Sequence, residues 1–389
     1  MDFRESEERQ ALREAVAALG ARYGMRYMHA KTVAGEKTTE LWTEAGELGY
    51  LGVNIPEEYG GGGGGIADLA AVCEELGGAG CPLLLMVVSP AICGTIITRY
   101  GTDDQRKRWL PGLADGSFTM VFAITEPDAG SNAHKITTTG RRDGGDWLLS
   151  GQKVFISGVD EAQAVLVVAR TEDAKTGNLK PALFVVPTDA PGLTYQQIEM
   201  AIASPEKQFM VYLDDVRLPA DALVGDSPDS PDAGMLQLFA GLNPERILAA
   251  AFALGIGRFA LDKAVAYAKG RTVFKQPIGA HQAIAHPLAQ CKIELEQARL
   301  LTQKAAWLYD NGEDMAAGEA ANMAKYAAGE AAVKIVDQAI QTHGGNGLTA
   351  EYGVAGLLAA VRATRIAPVS REMILNFVAM HTLGLPKSY

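Results

Sequence analysis

Apolar positions in the first part of the chain recur three and four residues apart. ALREAVAALGARY, TTELWTEAGELGYLG and IADLAAVCEELGGAG all show this spacing, with acids and bases between, and it predicts helices over residues 1–118. From residue 119 the period changes. TMVFAIT, DWLLSGQKVFISG, AVLVVART, ALFVVPT and KQFMVYLDDVRLP are short runs rich in apolar and β-branched residues, punctuated by Gly, Pro, Asp and Asn. They read as strands. No helix of useful length intervenes, so residues 119–230 are expected to form an antiparallel sheet or barrel, not a βαβ array. LPADALVGDSPDSPDAG is a Pro- and Asp-rich exit loop. Residues 231–389 return to long helical patterns, among them MLQLFAGLNPERILAAAFALGIGRFALDKAVAYAKGR and AAGEAANMAKYAAGEAAVKIVDQAIQTHGG. Helices this long with few loops predict a four-helix bundle. The fold class is therefore α+β, mostly α, in three domains.

Composition narrows the function. The chain has 389 residues, 48% hydrophobic and 21% charged, the proportions of a globular protein. Its formal net charge of −11 argues against nucleic acid as the main partner. The four cysteines form no CxxC pair, so neither a metal nor a redox site is expected, and they read as buried thiols in a reducing compartment. The N-terminus is charged from residue 2, unlike a signal peptide, and no apolar run is long enough to span a membrane. The expected location is the cytoplasm. The run Gly60 to Gly65 lacks the Lys-Ser/Thr of a phosphate-binding loop and reads as a flexible connector.

Three stretches carry chemistry. FAITEPDAGSNAHKI, residues 122–136, is a polar turn after an apolar strand. Thr125, Ser131 and the amides around Gly130 can donate to a polar or anionic edge, although an ordinary strand-to-turn connection reads the same way. LSGQKVFISG, residues 149–158, offers the flat face of Phe155 and the hydroxyl of Ser157. GLNPERILAA, residues 241–250, places Glu245 and Arg246 in an apolar stretch. One reading is structural: Asn243 as N-cap, Pro244 at the first helical position, an acid in the first turn. The other is chemical: a carboxylate on an apolar face has a raised pKa and serves as a base. Leu242, Leu248, Ala249 and Phe252 lie three, four or seven residues from Glu245 and share its face. Arg246 points about 100° away and does not pair with it inside the helix.

In order, the helical region, the TEPxAGS turn, the GxKxxIS strand, the β region and the helical bundle resemble the acyl-CoA dehydrogenase family. GRTVFKQPIGAHQAIAHPLA and QTHGGNGLTAEY match further family segments in the same order. The resemblance implies FAD-dependent α,β-dehydrogenation of an acyl-CoA thioester, with electrons passed to an electron-transferring flavoprotein. It implies that Phe122, Ile124, Thr125, Gly130 and Ser131 line the FAD, and that Phe155, Ile156 and Ser157 flank its ring. Arg271, Phe274, His281 and Gln282, with Gln341, Gly344 and Gly345, would reach the FAD of a neighbouring subunit, which implies a homo-oligomer, typically a tetramer. Ser131, Asn243 and Arg246 would contact the substrate. The resemblance also implies that the base's own backbone N–H helps polarise the thioester carbonyl.

The sequence departs from the family at several places. Asn132 stands where Asp is frequent, Lys275 where Gly follows Phe, and Phe155 where Trp is frequent. The Glu-Gly-Thr that carries the base in many members is missing from RATRIAPVSREMILNF, residues 362–377. Glu372 is the acid there and reads as a helix-start residue behind Ser370. Members similar to isovaleryl-CoA and long-chain acyl-CoA dehydrogenases take the base from an earlier helix, at the place of Glu245. Two alternatives stay open: a flavin oxidase or monooxygenase on this fold, which would release peroxide or use O₂, and a non-enzymatic DNA-binding flavoprotein, which would need a basic patch.

Overall fold

The computed structural model describes residues 4–173, 177–202, 204–225 and 233–387. Residues 226–232 of the exit loop lie outside them. Five helices come first: α1 (Glu7–Ala34), α2 (Thr39–Glu47), α3 (Ile66–Gly78), α4 (Thr95–Tyr100) and α5 (Asp103–Asp115), with a π-helical segment at Val87–Gly94 ahead of α4. Local sequence explains their ends. The Ser6 hydroxyl accepts from the Arg9 N–H to cap α1, and Gly35 closes it in the left-handed conformation. Thr102 and Gln105 form a reciprocal capping box on α5.

Seven strands follow: β1 (Met120–Ala123), β2 (Thr139–Asp143), β3 (Asp146–Ser157), β4 (Ala164–Glu172), β5 (Leu179–Pro187), β6 (Leu193–Ile198) and β7 (Gln208–Leu218). They form one sheet in the order β1-β4-β2-β3-β7-β6, with β5 on β4. The expectation of a purely antiparallel sheet needs correcting. The β2–β3, β3–β7, β4–β5 and β6–β7 pairs are antiparallel, but β1 runs parallel to β4 and β2 bridges β4 in parallel. The crossover from β1 to β4 is made by the β2–β3 hairpin, not by a helix, so no βαβ signal marks it in the sequence. Strand β4 is buried on both faces. Val165, Val167 and Ala169 join one core, while Ala164, Leu166 and Val168 join another with Ile92, Ile96 and Trp109 of the first helices. Burial on both sides is why AVLVVA is a continuous apolar run without alternation.

The last part holds α6 (Ala233–Gly270), a two-stranded hairpin β8 (Thr272–Val273) and β9 (Gln276–Pro277), then α7 (Gln282–Asp310), α8 (Asp314–His343), α9 (Leu357–Ala363) and α10 (Arg371–Phe377). Three helices are long. The fourth place in the expected bundle is taken by two short ones, because Pro368 disfavours helix at the residue before it and Ser370 starts α10 afresh, its hydroxyl accepting from the Met373 N–H. Among the described residues, no helix is long and apolar enough to cross a membrane.

Two sets of polar contacts tie α3 to the helices around it. Arg13 on α1 pairs with Glu5, Glu74 and Glu75, and Arg258 on α6 reaches Glu75 at 2.6 Å, so α3 is clamped from both sides. Asp310, at the end of α7, accepts from the Ile66 and Ala67 N–H groups at 2.8 and 2.9 Å and caps α3 from outside. The glycine run before α3 is packed, not a flexible connector. Gly62, Gly63 and Gly64 donate to Gly52, Ile55 and Val53 carbonyls. A Cβ on Gly61 would sit 2.1 Å from the Ile55 oxygen, and one on Gly65 would sit 2.3 Å from the Asp310 carboxylate. The glycines are there for close approach. Asp310→Ala is therefore expected to cost about 1 kcal/mol, read as a lowered thermal midpoint.

Candidate active site

The TEPDAGS turn and the GQKVFIS strand are tied by one buried ion pair. Lys153 (0% exposed) donates to the Glu126 carboxylate (4% exposed) at 2.9 Å and to the Ile124 carbonyl at 3.0 Å. The other lone pairs of Glu126 accept from the N–H and hydroxyl groups of Thr137 and Thr138, at 2.6 to 3.0 Å. Burial alone would raise the Glu126 pKa. The hydrogen bonds from Thr138, Lys153 and Thr137 outweigh it and hold the carboxyl at about 2. Burial draws Lys153 down to about 8, which leaves it a cation at neutral pH. The turn is locked to β3 again by the Val154 N–H bonding the Thr125 carbonyl at 2.9 Å. Just beyond, the β3–β7 register breaks between Lys153 and Ile156. The bulge leaves Phe155 at φ 58, projecting and 57% exposed.

Beside this turn opens a cavity of about 2280 Å³, bounded by the first helices, the sheet and the last bundle. One wall carries Phe122, Ile124, Thr125, Gly130, Ser131, Phe155, Ile156 and Ser157; another carries Asn243, Glu245 and Arg246. Eleven residues singled out in the sequence thus meet in one space. Among the described residues, no hydrogen bond takes up the Gly130 and Ser131 amides or the Thr125 and Ser131 hydroxyls, and a Cβ on Gly130 would meet nothing within 4 Å. The Ser157 hydroxyl lies 2.9 Å from the Gln208 amide nitrogen. A mostly apolar space with free donors along one rim fits a flat aromatic ligand with a polar edge.

Glu245 sits in the middle of α6, not at its start. The helix begins at Ala233 and runs through Pro244. The N-cap reading of Asn243 and Pro244 is therefore corrected, and the physical reason is a tertiary repair. Pro244 offers no N–H to the Ala240 carbonyl one turn back. That carbonyl accepts instead from the Tyr309 hydroxyl of α7 at 2.8 Å. Arg99 stacks on the Tyr309 ring at 4.4 Å and pairs with Asp314 at 3.1 Å. Asn243 is buried and spends its side chain on the Asp314 carbonyl at 3.3 Å and on Arg246 at 3.0 Å. A mid-helix position also commits the Glu245 N–H to the helical ladder, so it is not free to polarise a carbonyl as the resemblance implied.

Leu242, Ala249 and Phe252 line the cavity beside Glu245, while Leu248 turns into the helical core. Among the described residues, the Glu245 carboxylate has no hydrogen bond and no ion pair. Burial pushes its pKa up to about 7, against the opposing pull of Arg246 and then Lys325. The Arg246 guanidinium bonds the Leu242 carbonyl and Asn243, and its Nε has no partner. Glu372 lies outside the cavity on the first turn of α10, exposed and paired with Arg371 at 3.2 Å.

The comparisons agree along the whole length. Models of the acyl-CoA dehydrogenase N-terminal, middle and C-terminal domains match residues 6–117, 121–216 and 232–383. Acyl-CoA dehydrogenase FadE12 of Mycobacterium tuberculosis is 68% identical over 387 residues, covering 100% of this chain and 99% of that one. The chain belongs to the acyl-CoA dehydrogenase family. It is an oxidoreductase of that family. A glutaryl-CoA dehydrogenase solved with glutaryl-CoA superposes with a TM-score of 0.91 at 30% identity, over 100% of this chain and 98% of that one. A glutaryl-CoA dehydrogenase from Mycobacterium smegmatis, solved with FADH2, does so with a TM-score of 0.89 at 27% identity, over 99% and 96%.

The remaining residues expected from the acyl-CoA dehydrogenase resemblance do not line this cavity. Arg271 leads into the β8–β9 hairpin and Phe274 sits at its tip, His281 and Gln282 start α7, Gln341 lies in the last turn of α8, and Gly344 and Gly345 follow it. The Tyr267–His343 ring contact at 4.5 Å and the Asn346–Tyr267 bond at 3.1 Å hold these ends together. Phe274 is 88% exposed at the hairpin tip, and the His281 Nε2 is buried without a partner. Phe274 and Lys275 take φ 51 and 72, a two-residue turn that favours glycine, so Lys275 is strained where the family has Gly. Lys275→Gly is expected to raise stability by about 1 kcal/mol, seen in the thermal midpoint. Lys153→Met leaves a buried, unpaired Glu126 and is expected to cost roughly 3–5 kcal/mol in urea unfolding, while adding Glu126→Gln recovers part of the loss.

Proposed function

We propose that this chain is an FAD-dependent acyl-CoA dehydrogenase that removes the α-proton of an acyl-CoA thioester with Glu245. The observation that carries this reading is the Glu245 carboxylate itself, facing the cavity with no partner and a pKa raised to about 7. A carboxylate so placed is a far stronger base than one in water, yet half-ionised near neutral pH. In residues 362–377, the segment where many members carry the acid, Ala367 and Pro368 line the same cavity and Glu372 does not, which favours Glu245 over that segment.

FAD fits the rim formed by the free amides of Gly130 and Ser131, the hydroxyl of Thr125 and the face of Phe155. When bound it accepts the β-hydrogen as a hydride. The protein's own part is different. Glu245 holds the abstracted proton. Leu242, Ala249 and Phe252 keep water from the carboxylate. Arg246 and Asn243, joined at 3.0 Å, face the CoA moiety with Ser131. The exposed hairpin at Phe274, with Arg271, Gln282 and the Gln341–Gly345 end of α8, lies away from this chain's cavity and supports a homo-oligomer, a tetramer by family habit, in which it reaches a neighbour's FAD. An electron-transferring flavoprotein is the proposed acceptor. Four buried free thiols support a reducing, cytoplasmic setting.

Glu245→Gln is expected to keep FAD bound and to slow bleaching of the flavin by acyl-CoA by about 10²–10⁴-fold. Bleaching at the wild-type rate would place the base elsewhere. In the wild type the rate should fall as pH drops through about 7, where Glu245 takes up its proton. The sign for stability is opposite. A folded pKa raised above the unfolded 4.5 stabilises the fold at low pH and loses that contribution as pH rises to about 7. Glu245→Gln should therefore melt higher than wild type at pH 8.

A further inference from the structure

The cavity extends along α6 on both sides of Glu245, and the two sides differ in chemistry. Toward the start of the helix it is lined by Asn243, with Arg246 reaching back to the Leu242 carbonyl, and by Ser131. That is the polar side given to the CoA moiety. Toward the end of the helix it is lined by Ala249 and Phe252, four and seven residues past Glu245 on the same face. Two other elements bring apolar residues to this side. Met28 of α1 and Val87 of the π-helical segment both line the cavity, and both belong to the core cluster against which Phe252 packs. Met25, also at the cavity, follows Gly24, which leaves the helical conformation at φ 65 and kinks α1. Glycines make room for it. A Cβ on Gly353 would collide with the Met25 sulfur, and one on Gly80 would sit 3.1 Å from the Met25 backbone nitrogen and 2.8 Å from the Phe259 ring. Phe259 lies on the α6 face that carries Glu245 and Phe252, two turns further on. Met25 thus stands where this side of the cavity runs out. None of Ala249, Phe252, Val87, Met28 and Met25 carries a charge. The carboxylate of Glu206, nearby on the wall, is taken by the Leu84 N–H at 2.9 Å and the Ser204 hydroxyl at 2.8 Å.

We propose that the apolar side, from Glu245 to Met25, is the channel for the acyl tail, that Met25 sets its length, and that the substrate is an acyl-CoA with an unsubstituted hydrocarbon chain of about ten to sixteen carbons. This rests on Glu245 being the base, because the α-carbon then lies at its carboxylate and marks where the tail begins. Phe252 stands about 10 Å along the helix axis from Glu245, and Phe259 about 21 Å. An extended hydrocarbon advances about 1.3 Å per carbon. About eight carbons beyond the α-carbon therefore reach Phe252, and about sixteen would run into the Phe259 end. A short acyl chain leaves the apolar walls unfilled, and a charged chain end finds no partner on them. Methionine suits the closed end, since its unbranched thioether fits an irregular gap between two glycines.

The test is flavin bleaching of the FAD-loaded protein by butyryl-, dodecanoyl- and palmitoyl-CoA below saturation. Each buried methylene is worth about fourfold, so the second-order rate constant is expected to rise at least about a hundredfold from butyryl to dodecanoyl. Equal constants, or a preference for butyryl, overturn the proposal. Met25→Trp fills the end of the channel and should lower the palmitoyl-to-butyryl ratio at least about tenfold. Met25→Ala opens it and should raise the palmitoyl-to-dodecanoyl ratio; this variant decides if the tryptophan does not fold. Ratios left at the wild-type values overturn the role of Met25. A second readout needs no turnover. In Glu245→Gln, dissociation constants for the same three thioesters, measured by titration calorimetry, should fall from butyryl to dodecanoyl, and binding independent of chain length overturns the proposal. If Glu245→Gln still bleaches at the wild-type rate, the base assignment fails and the proposal falls with it, a result distinct from length-independent binding in a variant that no longer bleaches.

Discussion

Helix α6 must meet two demands along its 38 residues. It is the beam that the first helices and the last bundle both pack against, and about a third of the way along it presents an ionisable group to a cavity. A proline in its middle would ordinarily break it. Here the carbonyl that Pro244 leaves without a donor is taken by Tyr309, and Tyr309 is held by Arg99, which is held by Asp314, whose carbonyl receives Asn243. The repair is thus a closed circuit of three chain segments. It keeps the helix continuous through the residue next to Glu245, so the direction of that carboxylate is set by helices packed far apart in sequence.

The molecule treats its buried carboxylates in opposite ways. Glu126 is surrounded by donors and a lysine, and its pKa falls. Such a group is inert and serves as a rivet between a turn and a strand. Glu245 is half-buried among apolar side chains but is given no donor, and its pKa rises. The contrast follows from one rule: burial raises a carboxyl's proton affinity unless hydrogen bonds to the charged form reverse it. A site that needs a base leaves that reversal incomplete and carries the cost in stability.

The same economy appears in the backbone. Phe155 and Lys275 both hold left-handed angles that side chains avoid. Phe155 does so at a bulge beside the cavity, where the strain re-aims an aromatic ring. Lys275 does so on an exposed hairpin away from the cavity, beside Phe274. Both positions are also departures from the family pattern.

By itself the sequence determined the order of helical, β and helical regions, the mostly helical class and the family, because hydrophobic period and four ordered motifs are local signals that survive without contacts. It also marked Glu245 as an acid on an apolar face. Tertiary structure decided the rest. The parallel β1–β4 pairing depends on a hairpin crossover that leaves no periodic trace. The glycine run looks like a linker until Ile55 and Asp310 are seen pressed against it. Asn243-Pro244 looks like a helix start because a cap and a repaired proline share the same letters; only Tyr309, sixty-five residues beyond Pro244, tells them apart. Lys325 lies in an alanine-rich helix as an ordinary lysine, and only the structure shows it buried, with its ammonium on the Val369 carbonyl.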